Sequence, residues 1–114
     1  MIPNQRHAFV TGSRVYGKPH ADSDVDFVVR CSMYEARELA ELLEVNLEES
    51  ESYEEQSIQF RVGKLNLILC TTDKRFDAWA KGTGELFGRA LQGETISREE
   101  ACAHFAKLFA GEKP

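Results

Sequence analysis

Asp24-Val25-Asp26-Phe27-Val28-Val29-Arg30 is the clearest strand in this chain. Val25, Phe27 and Val29 alternate with Asp24, Asp26 and Val28, so one face is apolar while the other opens with two carboxylates. Residues two apart on a strand point to the same side, ~7 Å from each other. The apolar face calls for a cover, and the neighbouring sequence supplies both the cover and the partner strands.

Upstream, His7 to Thr11 reads as a short strand that ends at the glycine of a Gly12-Ser13 turn. Downstream, Met33 to Val45 reads as a helix, with Ala36, Leu39, Ala40, Leu42 and Leu43 at helical spacing. An acidic connection containing Glu48, Glu49, Glu51, Glu54 and Glu55 follows, and its composition predicts a solvated link. Ser57–Val62 and Leu65–Cys70 then form a hairpin across Gly63-Lys64, where glycine in the first loop position suits a type II′ turn. If Val62 faces Leu65, Phe60 faces Leu67 and Ile58 faces Leu69, one surface is wholly apolar. The other surface then pairs Arg61 with Asn66, Gln59 with Ile68 and Ser57 with Cys70.

A second helix is expected from Asp73 to about Leu91, with Phe76, Trp79, Thr83, Leu86 and Ala90 along one stripe. Gly82, Gly84 and Gly88 weaken it by ~1 kcal/mol each relative to alanine. The last helix starts near Ser97, which with Glu100 has capping-box spacing, and it buries Ala101, Phe105, Leu108 and Phe109. The tail 111–114 is expected to fray. The expected architecture is α+β: one domain over 1–114, with a single small mixed sheet of about four strands and helices packed on one face.

With 114 residues, 42% hydrophobic and 29% charged, the chain has the balance of a soluble globular domain. No stretch approaches the ~20 apolar residues of a membrane span. Residues Met1 to His7 lack the apolar run of a secretory signal, so a cytoplasmic setting is expected. Cys31, Cys70 and Cys102 are an odd count without metal-type spacing, which reads as three small buried thiols in a reducing compartment. A net charge of −5 argues against gripping a length of nucleic acid.

The chemistry-bearing residues lie within fifteen positions, from Gly12 to Asp26. Gly12 allows the backbone to approach an anionic ligand closely. Ser13 offers a hydroxyl and a backbone N–H, Arg14 and Lys18 offer charge to a triphosphate, and Gly17 lets the chain turn back. Asp24 and Asp26 suit one or two Mg²⁺ ions, a hard cation that takes a few carboxylates together with phosphate oxygens.

Gly12-Ser13, ten intervening residues and Asp24-Val25-Asp26 together resemble the signature of the DNA polymerase β-like nucleotidyltransferase superfamily. The Gly12-Ser13-Arg14-Val15-Tyr16-Gly17 opening is most similar to its small stand-alone members, the minimal nucleotidyltransferases. The motif spans Gly12 to Phe27, and the order of elements extends a weaker similarity to about Cys70. The resemblance implies a nucleotidyltransferase-like fold, Ser13 on the triphosphate, and Asp24 and Asp26 holding Mg²⁺. It also implies in-line attack of an acceptor hydroxyl on the α-phosphate of a nucleoside triphosphate such as ATP, releasing pyrophosphate. The chain has little beyond this core, so a protein partner, a homo-oligomer or a small exposed acceptor would fit.

The family places a third acid on a later strand, and the matching position here is Asn66 in Leu65-Asn66-Leu67. Three consequences stay open: slow catalysis, a different third carboxylate with Asp73 the nearest, or a catalytically inactive nucleotide- or partner-binding module. Arg61, across from Asn66, is a candidate phosphate contact, and His20 in the intervening loop is read as solvent-exposed. His7 and His104 receive no role, and Trp79 is read as core.

Overall fold

The computed structural model describes residues 7–18, 24–45, 51–53 and 57–111. Ser23, His20, most of the acidic connection and the tail 112–114 lie outside these residues. In chain order the elements are β1 (Ala8–Thr11), α1 (Ser13–Tyr16), β2 (Val25–Arg30), α2 (Met33–Leu42), β3 (Glu51–Tyr53), β4 (Ser57–Val62), β5 (Leu65–Cys70), α3 (Asp73–Leu91) and α4 (Arg98–Ala110). The strands form one sheet in the order β1-β2-β5-β4-β3, with β2 and β5 parallel and the other neighbours antiparallel. The α+β class with a single mixed sheet is as expected, with five strands rather than four. The extra strand, Glu51–Tyr53, falls in the stretch read as a solvated link; it pairs with β4 at the sheet edge, which charged residues tolerate.

The hairpin register is the expected one at all six positions, from Val62↔Leu65 to Ser57↔Cys70. Gly63 has φ +62° and Lys64 does not share a positive φ, the pattern of a type II′ turn. Ser32 caps α2 through a reciprocal capping box with Glu35, and α2 ends at Leu42, three residues short of the expected Val45. Its termination follows from Glu44, which adopts φ +56°. The Ser97 hydroxyl accepts from the Glu100 N–H at 3.1 Å and starts α4 as its spacing predicts.

Helices cover both faces of the sheet, where one covered face was expected. Ala36 and Leu39 of α2 pack with Phe27, Val29, Ile58, Leu67 and Leu69. On the opposite face, Val28, Ile68 and Cys70 pack under Phe76, Trp79 and Leu86 of α3 and Phe105 and Phe109 of α4. The reason is that the face carrying Asp24 and Asp26 is polar only at one end. Two residues beyond Asp26, Val28 is fully buried, and Ile68 beside it is 3% exposed. Arg75 is buried here too, its guanidinium 4.0 Å from the Phe109 ring centroid.

Trp79 is a core residue, as its stripe predicts. Cys31 and Cys70 are buried free thiols, whereas Cys102 is exposed, because α4 turns that position away from α3 and toward solvent. Among the described residues no helix is long and apolar enough to cross a membrane.

Candidate functional site

The polar end of the inner face is a row of residues aligned across four strands. Thr11 of β1 lies opposite Asp26 of β2, Asp26 opposite Asn66 of β5, and Asn66 opposite Arg61 of β4. Pleating sends these side chains to one face, and Asp24, two residues before Asp26, joins them. Asp24 precedes β2 directly, and the neighbouring Val25 N–H donates to the Lys64 carbonyl at 2.8 Å, which ties this end to the hairpin turn.

Gly12 links the turn to the carboxylates. It caps α1 with φ +81°, a conformation that favours glycine, and a Cβ at this position would lie 2.1 Å from Asp26 Oδ2. The Gly12 backbone is therefore pressed against the Asp26 carboxylate, and a side chain would fill the space. Gly17 closes the same turn: its N–H donates to the Ser13 carbonyl at 3.0 Å, and an added Cβ would meet Ser13 Cα at 2.9 Å. Ser13, Arg14 and Lys18 are exposed on the outside of this turn.

Asp26 is held from both sides. Asn66 Nδ2 donates to its Oδ1 at 3.1 Å and lies 3.4 Å from Gln59 Oε1. Burial pushes the Asp26 carboxyl above the ordinary carboxylate range, and the charge of Asp24 adds to this. The Asn66 hydrogen bond and the charges of Arg61 and Arg98 work against it. Asp24 is engaged by Arg61, whose Nη1 donates to Asp24 Oδ2.

Beneath the turn, the Thr11 and Thr83 hydroxyls are 2.6 Å apart in a buried hydrogen bond, joining β1 to the middle of α3. The Tyr16 hydroxyl meets the Thr11 side chain and the Gly12 backbone; burial raises its phenol, and the charge of Asp26 raises it further. Tyr16 also packs on the aromatic core, 6.5 Å from Phe105 between ring centroids. The support for the Gly12 turn thus comes from α3 and α4.

Of the residues singled out from sequence, Gly12, Ser13, Gly17, Asp24, Asp26, Asn66 and Arg61 gather at this end of the sheet. Asp73 does not: it bonds Arg30 Nε at 2.8 Å, at the opposite end of β2, four residues and ~13 Å along the strand from Asp26. As an alternative third carboxylate it is ruled out by position. Thr11, Gln59, Thr83 and Arg98 were not singled out as site residues. Gln59 and Thr11 could have been read from hairpin and strand parity. Thr83 carries no local signal, since it reaches Thr11 through helix packing.

No family model, curated protein or solved structure matches this chain.

Among the described residues no three His, Cys, Asp or Glu side chains converge as a cation cluster. Asp24 and Asp26 are a pair, and a pair is what Mg²⁺ takes when phosphate oxygens and water fill the rest of its octahedral shell. With no side chain at Gly12, the turn backbone lies directly against Asp26 Oδ2, where an added Cβ would collide.

Proposed function

We propose that this protein is a Mg²⁺-dependent nucleotidyltransferase that moves a nucleoside monophosphate from a nucleoside triphosphate to an acceptor hydroxyl. The observation that carries the reading is the contact of Gly12 with Asp26 Oδ2. It brings the small-residue turn and the carboxylate pair into one site, although ten residues separate Gly12-Ser13 from Asp24 in sequence.

In this reading Asp24 and Asp26 hold the cation, and Ser13 binds the triphosphate with Arg14 and Lys18 on the exposed side of the turn. The bound ion supplies charge neutralisation for the phosphates and a template for their orientation. The turn between Gly12 and Gly17 fixes the triphosphate so that the α-phosphate faces the acceptor, which is positioning rather than covalent chemistry. The acceptor oxygen bonds to the α-phosphorus as the bond to the bridging oxygen breaks; pyrophosphate leaves and the acceptor proton passes to solvent. Asn66 takes no proton. Its role is to orient Asp26 through the 3.1 Å hydrogen bond.

A second reading, a nucleotide-binding module without turnover, is favoured by that same hydrogen bond. Asn66 presents a donor to Asp26 where a third carboxylate would share a cation. Incubation with labelled ATP, CTP, GTP or UTP and Mg²⁺ separates the two. Pyrophosphate release with transferred label, lost in Asp24→Asn and Asp26→Asn, supports the transferase. Calorimetric binding of nucleotide with no pyrophosphate released supports the module and ends the transferase reading.

A further inference from the structure

Arg61 begins on the wrong strand for Asp24. In the order β2-β5-β4 the whole of β5 lies between them, so the Arg61 side chain spans two strand spacings, ~9–10 Å, to reach Asp24. Its row position faces Asn66, and its nearest carboxylate in register is Asp26. Asp26 is already occupied by the Asn66 amide on one oxygen and lies against Gly12 on the other. Both carboxylates proposed to hold the cation are therefore engaged by N–H donors of β4 and β5.

The two donors differ in exposure. Asn66 is buried, at 8% exposure, whereas the Arg61 side chain is 63% exposed and Asp24 32%. Arg61 can leave at the modest cost of a partly exposed ion pair. A guanidinium is also the side chain best matched to phosphate, which it engages through two parallel N–H bonds.

We infer that Arg61 is a tethered cation that competes with metal for Asp24 and transfers to the phosphates when a triphosphate binds. This rests on the proposed metal–triphosphate reading of the site. It makes metal and nucleotide binding mutually dependent. Free metal must displace a fixed positive charge from Asp24, whereas a triphosphate removes that charge and leaves the carboxylate open. The two ligands are then positively coupled through one side chain.

The experiment is Mn²⁺ binding to the full chain without nucleotide, read from the electron paramagnetic resonance signal of the free ion. Arg61→Gln is expected to bind Mn²⁺ about three- to fivefold more tightly than the wild type, the equivalent of a partly exposed ion pair. Arg61→Lys, which keeps the charge, is expected to bind within about twofold of the wild type. Adding Asp24→Asn to Arg61→Gln is expected to remove the gain. With a non-hydrolysable ATP analogue present, Arg61→Gln should bind Mn²⁺ more weakly than the wild type. Unchanged or weaker Mn²⁺ binding in Arg61→Gln, or a gain that survives Asp24→Asn, overturns the role of Arg61. If Asp24→Asn alone still lowers Mn²⁺ affinity in that case, the metal site itself stands. No Mn²⁺ binding by any variant, with or without the analogue, overturns both readings. Arg61 is exposed and away from the core, so thermal melting should show each Arg61 variant folded.

Discussion

Asn66 Nδ2 donates to Asp26 Oδ1 at 3.1 Å across the parallel β2–β5 pair, and the two residues are direct partners in register. This places a neutral donor at the position where the family resemblance leads one to expect a third acid. Asn66→Asp would set a second carboxylate against one that burial already pushes above its ordinary range. The expected result in metal-free buffer is a loss of about 1–3 kcal/mol, since a hydrogen bond becomes a like-charge contact. Mg²⁺ should restore stability to this variant by a larger melting shift than in the wild type. Equal melting of the two proteins, with and without Mg²⁺, would refute it.

Glycines at different places should respond with opposite signs. Gly12→Ala forces a positive φ on alanine and drives a Cβ into Asp26 Oδ2, so a loss of about 1–3 kcal/mol is expected, together with loss of nucleotide binding. Nothing lies within 4 Å of a Cβ at Gly84, which is inside α3. Gly84→Ala should stabilise by about 0.5–1 kcal/mol. Urea denaturation of both variants checks the pair of signs.

Asp26 should make the protein less stable as pH rises. Its folded carboxyl is raised above the ordinary value of 3.8, chiefly by burial, so the folded state binds more protons than the unfolded chain in the window above that value. Stability therefore falls with increasing pH through this window and stays reduced above it. Asp26→Asn removes the dependence and should melt higher than the wild type at pH 7, while losing metal binding. Melting curves of both proteins from pH 4 to 7 test this; parallel pH profiles would exclude it.

The buried Thr11–Thr83 hydrogen bond should show asymmetric losses. Thr83→Val leaves the Thr11 hydroxyl with Tyr16 as a partner, for a cost of about 1 kcal/mol. Thr11→Val strips a partner from both Thr83 and Tyr16, and about 2 kcal/mol is expected. The double variant should cost less than the sum of the two, because each change removes the same bond. Strict additivity in a denaturant-derived cycle would show that the hydroxyls act independently.

Where local pattern sufficed, the reading of the chain and its structure agree. The hairpin register follows from alternation and a two-residue turn, so every pair from Ile58↔Leu69 to Arg61↔Asn66 was legible. The α3 limits, Asp73 and Leu91, followed from a buried stripe that includes Phe76, Trp79 and Leu86. The second covered face was less visible. Val28 shares strand parity with Asp26, and parity alone does not say where a polar face becomes a dry one. Glu51–Tyr53 escaped because an edge strand needs a partner more than it needs an apolar pattern.

By itself the sequence determined on which side of each strand the candidate residues stand. Side-chain alternation is a property of a few consecutive residues, and it assigned Asp24, Asp26, Arg61 and Asn66 to one polar surface. Only the tertiary structure decided what those residues do to one another. It put β5 between Asp24 and Arg61, aimed the Asn66 amide at Asp26, and left Asp73 at the far end of β2 with Arg30. It also brought Thr83 to Thr11, beneath the site, from a helix far along the chain. Strand order and helix docking depend on burying both sheet faces at once, a condition set by the whole core rather than by any stretch of sequence.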